Sequence, residues 1–222
     1  PGLLPASELP FGLSRFVRVC GLIAIGCGVV PLVGVVLGMP VLSEIVPGLP
    51  PTAPLSAVLL IGFGLVVMSK VTGGQVELLR RPLLAVLGLV AALVTAEYLA
   101  GVDLGIDRLL GGDHGGPHPG RPSLHSSVSF LLLAVALSTT RFRFDWRGLA
   151  AHIVTTTGAI VTGTAVVGHL LGAGAVRNLS SSAAMALPSA AGLIALYAAA
   201  YAFRPGYAPA VWWAQDGSGE RA

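Results

Sequence analysis

Six stretches of this chain are long and apolar enough to cross a lipid bilayer, and no other feature limits its fold so strongly. About 20 consecutive apolar residues cover the roughly 30 Å of hydrocarbon in a membrane. The runs at about 17–38, 52–69, 82–100, 123–140, 148–171 and 183–204 meet that requirement. Arg18 and Arg204 stand at the extreme ends of their runs, and the other ionisable side chains within the six, Glu97, His125, His152 and His169, also lie near ends. A charge placed there reaches the interface, whereas one at the bilayer centre costs several kcal/mol.

Composition supports the same solvent. Hydrophobic residues make up 54% of the 222 and charged residues 10%, against about 25% charged in an ordinary soluble domain. The net charge of +3 is spread through apolar sequence and forms no basic stripe, so nucleic-acid binding is excluded as a function class. A membrane β-barrel needs alternating strands of about 10 residues, which these continuous runs of Leu, Ala, Val and Gly lack. The expected fold class is all-α, a polytopic membrane protein with six transmembrane helices.

Orientation follows from the basic residues. With both termini and the even-numbered connections on one side, that side holds ten: Arg15, Arg18, Lys70, Arg80, Arg81, Arg141, Arg143, Arg147, Arg204 and Arg221. The other side holds Arg108, Arg121 and Arg177, so the positive-inside rule puts both termini in the cytoplasm. The opening "PGLLPASELPFG" lacks the charged start and apolar run of a signal peptide. Residues 1–16 are expected to form a cytoplasmic segment, 17–204 the membrane domain and 205–222 a cytoplasmic tail.

The second, fourth and sixth runs begin alike: "PLSAVLLIGFGLVVMSK", "LHSSVSFLLLAVALSTTR" and "LPSAAGLIALYAAAYAFR". Each carries a serine third, Ser56, Ser126 and Ser189, then an apolar span and a basic residue. The serines are separated by 70 and 63 residues, the length of a helix hairpin with its loops. Three repeated helix hairpins, about 17–70, 82–141 and 148–204, are therefore expected. The serines suit capping of a helix start or bonding between helices, with a ligand-binding ring at the outer face as the alternative. Pro31 is expected to kink the first helix, and Gly34 with Gly38 and Gly168 with Gly172 to admit close helix neighbours. Cys20 and Cys27 would lie about 10 Å apart along one helix, too far for a disulfide.

"EYLAGVDLGIDRLLGG" followed by "PGRPSLHSSVSFLLLAVAL", with "MALPSAAGLIALYAAAYAFRP" later, resembles the N-terminal multi-helix membrane region of bacterial sensor histidine kinases and related signalling proteins. There a "GLDLGIDxLL" stretch leads into "GRMAPNTALxFLLLGLAL". The resemblance covers about residues 17 to 205 and rests largely on apolar pattern. Where the family carries Pro-Asn-Thr, this chain has Leu124, His125 and Ser126 in one repeat and Leu187, Pro188 and Ser189 in another. It implies a sensory input module, although no kinase, cyclase or phosphatase domain follows within these residues. The competing expectation is an accessory or scaffold subunit of a larger photosynthetic or respiratory membrane complex.

The polar residues offer little chemistry. His114, His118 and His125, with Asp113, are weak candidates for a metal site, because the Gly and Pro residues between the first two prevent a helix from aligning them. A polar loop is expected instead. Asp103 and Asp107, with Arg108, suit a short amphipathic helical turn on the membrane surface, with Leu104, Leu109 and Leu110 dipping into the interface. Glu97 is expected to snorkel to the interface, the alternative being a hydrogen bond to His169 or to an outer-loop arginine. His152 and His169 are expected to be interfacial. Trp212 and Trp213, with Tyr201, Phe203 and Tyr207, read as an aromatic belt. No Walker loop, G-x-S-x-G, H-E-x-x-H or C-x-x-C occurs. No enzyme activity and no cofactor are expected. The expected partners are the bilayer and other membrane subunits or a second copy.

Overall fold

The computed structural model describes residues 11–39, 41–42, 50–72, 76–106, 120–139, 146–170 and 185–203. Among them there are helices and no strands. In chain order the helices are α1 (Phe11–Val36), α2 (Pro54–Thr72), α3 (Val76–Ala100), α4 (Leu124–Ser138), α5 (Trp146–Leu170) and α6 (Leu187–Ala202). All six fall on the six apolar runs.

Their lengths divide them. α1, α2, α3 and α5 are long and apolar enough to cross a membrane. α4 and α6 have 15 and 16 residues, about 22–24 Å at 1.5 Å per residue, and fall short of a full bilayer on length alone. Their starts are set locally. Ser123 caps α4, its hydroxyl accepting the Ser126 N–H at 3.2 Å, and Pro188 stands in the first turn of α6, where its missing N–H costs nothing. α3, by contrast, begins six residues before the expected boundary and runs through Pro82. The added turn exposes Leu78 and Leu79.

The packing has a plain geometric order. α1 lies against α2 and α6, α3 against α2 and α4, and α5 against α4 and α6. α6 also touches α2 and α4, and the rings of Phe63 on α2 and Phe130 on α4 stack at 5.7 Å. The even-numbered helices thus form the centre and the odd-numbered ones the periphery. Burial agrees, because 67% of the apolar window of α2 is covered against 33% for α1 and α3 and 22% for α5.

Ser56, Ser126 and Ser189 are each the third residue of a central helix, and all three are buried. Counting four, seven and eleven residues onward reaches Leu60, Phe63 and Val67 on α2, Phe130, Leu133 and Leu137 on α4, and Leu193, Leu196 and Ala200 on α6. Every one of these is fully buried. A 4-3-4 spacing keeps one seam of a helix turned toward its neighbours, as in a coiled coil. In the second of these helices capping belongs to Ser123, and Ser126 joins its hydroxyl at 2.9 Å.

Glycines draw α1 onto α2. A Cβ at Gly28 would come within 2.5 Å of the Ala57 carbonyl oxygen, and one at Gly64 within 2.9 Å of the Gly21 carbonyl. The expected pair Gly34 and Gly38 works otherwise. Gly38 takes φ +64° and has open space around it, while Gly38 N–H and Met39 N–H donate to the carbonyls of Val35 and Gly34. This is a Schellman stop that ends α1. Gly172 lies outside the described residues.

Candidate functional site: an ionic clamp at one end of the bundle

Glu97 organises the end of α3 in two ways. Its main-chain carbonyl accepts the Val102 N–H at 3.2 Å, the closing bond of a helix stop in which Gly101 takes φ +65°. Its carboxylate Oε1 accepts the Leu104 N–H at 2.8 Å. One residue therefore satisfies two backbone donors of the chain that turns away from the helix.

The counter-charge comes from the segment entering α4. Gly120 takes φ +85°, and Arg121 directly after it reaches α3. Arg121 Nη2 stands 3.4 Å from Glu97 Oε2 and donates to Asp103 Oδ1 at 3.1 Å. The Glu97 and Arg121 side chains are 0% and 3% exposed, whereas that of Asp103 is 36% exposed. The Arg121 guanidinium also lies over the Tyr98 ring, 5.4 Å from its centroid, and the Tyr98 hydroxyl donates to the Pro122 carbonyl at 2.9 Å. Two consecutive residues of α3 thus hold two consecutive residues of the segment before α4.

These contacts correct two expectations. Glu97 does not snorkel to an interface: its Oε1 accepts a backbone N–H and its Oε2 faces Arg121 as an ion pair, which is the alternative of an outer-loop arginine. Nor does Asp103 sit on a helical turn. Residues 102–105 are non-helical, Gly105 takes φ +71°, and Asp103 Oδ1 accepts the Gly105 N–H at 2.9 Å. Gly101 and Gly105, both in left-handed conformation, keep residues 102–105 out of a helix, and the part of the expected turn from residue 107 onward lies outside the described residues. Asp107, Arg108, His114, His118, Trp212 and Trp213 lie outside the described residues. His125 is exposed in the first turn of α4. Among the described residues no group of three or more potential ligands could hold a metal ion.

A second polar layer joins α5 to α4 and α6. The Tyr197 hydroxyl donates to the Ser129 carbonyl at 2.6 Å, and Thr162 donates to the Ser129 hydroxyl at 3.3 Å. Gly158 makes this possible, since the Tyr197 hydroxyl occupies the position a Cβ there would need. Thr156 and Tyr201 share a hydrogen bond of 2.7 Å, and His152 meets the Tyr201 ring edge-on. His169 bonds the Met185 carbonyl at 2.7 Å, so it is not the partner of Glu97.

Sequence reasoning did not find the Tyr98–Pro122 and Tyr197–Ser129 bonds. The signal for the second was present: a tyrosine inside "IALYAAAYA" must place its hydroxyl on some acceptor when buried. In comparisons with known proteins, no family model, no curated protein and no solved structure matches the chain.

Proposed function

We propose that this chain is a non-catalytic sensory input module, built from three repeated helix hairpins that cross a bacterial cytoplasmic membrane six times with both termini inside. The buried Glu97–Arg121 pair carries the reading. Withdrawing two charges from water is a poor way to gain stability, and the best-attested use of such pairs is to hold a register or a switch. Here the pair ties α3 to the entrance of α4 at the outer end, and an agent outside the cell reaches the cluster through Asp103, whose side chain is exposed and bonded to the same Arg121. Releasing it lets α3 shift against α4, and α3 carries that shift to the inner face.

The six-span topology is supported by the position of the two short helices. α4 and α6 lie among the other helices, packed on α3 and α5, on α1, α2 and α5, and on each other, and backbone at membrane depth is tolerated where protein covers it. The shared place of Ser56, Ser126 and Ser189 as the buried third residue of a helix, with the same buried spacing after each, supports three copies of one hairpin.

Three measurements test this. Cysteines at positions 114 and 143 should react with impermeant reagent from outside and inside respectively, and the reverse overturns the topology. Spin labels at positions 79 and 138 of the full chain in vesicles should report a shift of about 1–2 Å or more when Arg121→Met breaks the pair. An unchanged distance in the folded variant overturns the sensory reading. So does stoichiometric copurification with a respiratory or photosynthetic complex after gentle solubilisation.

A further inference from the structure

All three central helices start in the same way. The carbonyl of the residue that precedes each one accepts the first helical N–H: Ala53 from Ala57 at 3.1 Å, Ser123 from Ser127 at 2.9 Å and Ala186 from Ala190 at 3.0 Å. One residue earlier, four ahead of the recurring serine, stand Thr52, Pro122 and Met185, each of them buried. Their carbonyls lie outside the helical ladder, so a buried one needs a donor from elsewhere in the chain. In the second and third hairpins that donor comes from the same place, the last turn of the outgoing helix. Tyr98 of α3 donates its hydroxyl to the Pro122 carbonyl at 2.9 Å. His169 of α5 bonds the Met185 carbonyl at 2.7 Å through Nε2, which carries the proton because a carbonyl only accepts. The bonded residues are 24 apart in one hairpin and 16 in the other, yet the acceptor position is the same. The first hairpin is joined differently. α1 runs out through Val36, Leu37, Gly38 and Met39, none with a side-chain donor, and the buried Thr52 hydroxyl has no hydrogen-bond partner. Its hold is main chain on main chain, at Gly28 against Ala57 and Gly64 against Gly21.

We infer that Tyr98 and His169 are equivalent latches, each pinning the outer end of an outgoing helix to the start of its returning helix, so that α3 and α5 are two separately held arms on a frame made by α1 and α2. The inference rests on the three-hairpin reading and adds a second control point, His169, to the sensory one. The packing below the latches divides the helices in the same way. Gly62 of α2 admits the Leu87 side chain of α3, and Gly158 of α5 admits the Tyr197 ring of α6. Side chains in such contacts turn as packed helices slide by about 1–2 Å, whereas a glycine closed on a carbonyl leaves no such play. Opening one latch therefore frees one arm and leaves the other held.

The test follows hydrogen exchange by mass spectrometry on the full chain in vesicles of phosphatidylethanolamine and phosphatidylglycerol. Tyr98→Phe should speed exchange in the last turn of α3 by about fivefold, the factor that the net worth of one hydrogen bond corresponds to, and leave the last turn of α5 at the parent rate. His169→Phe should do the reverse. His169→Gln, whose amide N–H falls near the place of Nε2, should keep the parent rate, whereas His169→Asn, whose amide falls at the place of Nδ1, should exchange like His169→Phe. Thr52→Val should leave the first hairpin unchanged, because its hydroxyl holds nothing. Helicity and elution volume establish that each variant is folded. No change in either phenylalanine variant, loosening of both arms by one substitution, failure of glutamine to restore the hold, or loosening of the first hairpin by Thr52→Val would each overturn the latches. None of these outcomes touches the topology, which fails separately if positions 114 and 143 label from the wrong sides, or the sensory reading, which fails separately on the Arg121→Met distance.

Discussion

Breaking the clamp from its two sides should have unequal consequences. Arg121→Met removes the counter-charge of a carboxylate whose side chain is fully buried, leaving Glu97 with the Leu104 N–H alone. Stranding one member of a buried pair costs about 3–5 kcal/mol. The retained backbone bond places this case near about 3 kcal/mol, and the loss at Asp103, more than a third exposed, adds less than about 1 kcal/mol. Glu97→Gln is milder. The amide oxygen still accepts from Leu104, and Arg121 keeps Asp103 at 3.1 Å, so about 1–2 kcal/mol is expected. The double variant strands no carboxylate at position 97 and should therefore be more stable than Arg121→Met alone, with a coupling of about 2 kcal/mol. The assay is thermal unfolding in detergent followed by circular dichroism. A chain of this size loses about 2–4 °C per kcal/mol, so Arg121→Met should melt about 6–12 °C below the parent. If Arg121→Met proves no worse than Glu97→Gln, or if the double variant simply adds the two losses, the carboxylate is not held by Arg121 and the clamp is misread.

The same unfolding assay checks two further contacts. Gly28→Ala should cost about 1–3 kcal/mol, because the new methyl meets the Ala57 carbonyl, whereas Gly26→Ala, with open space on the same helix, should gain up to about 1 kcal/mol of helix propensity. Tyr197→Phe should lose about 1 kcal/mol with its bond to Ser129, and Gly158→Ala should lose more, since it displaces the whole ring. Tyr197→Phe should then rescue part of the Gly158→Ala defect, because the hydroxyl is the nearest clashing atom.

Much of the architecture was legible in the residues. Apolar runs place the six helices, and the serine that recurs after Pro54, Leu124 and Leu187 marks the helices that turn out to be central. Helix ends were legible where a local stop exists, as at Ser123, but not at α3, where "VELLRR" extends the helix before Pro82. Glu97 stood out as an ionisable residue in a span, and an outer-loop arginine was among its alternative partners, but nothing in the sequence selected Arg121, 24 residues away, over His169 or another arginine.

The division has a physical cause. In hydrocarbon each backbone amide must find its partner nearby along the chain, so helical state and helix position are local properties written in the order of residues. These helices are apolar on every side, and a face that meets lipid is chemically the same as one that meets protein. Only the assembled bundle selects which faces are covered: where a glycine permits contact, as at Gly28, a helix closes on its neighbour, and where the next helix offers only Gly88 a groove stays open. The buried charge pair belongs to that second kind of information, since neither Glu97 nor Arg121 is bearable inside the protein until tertiary contact supplies the other.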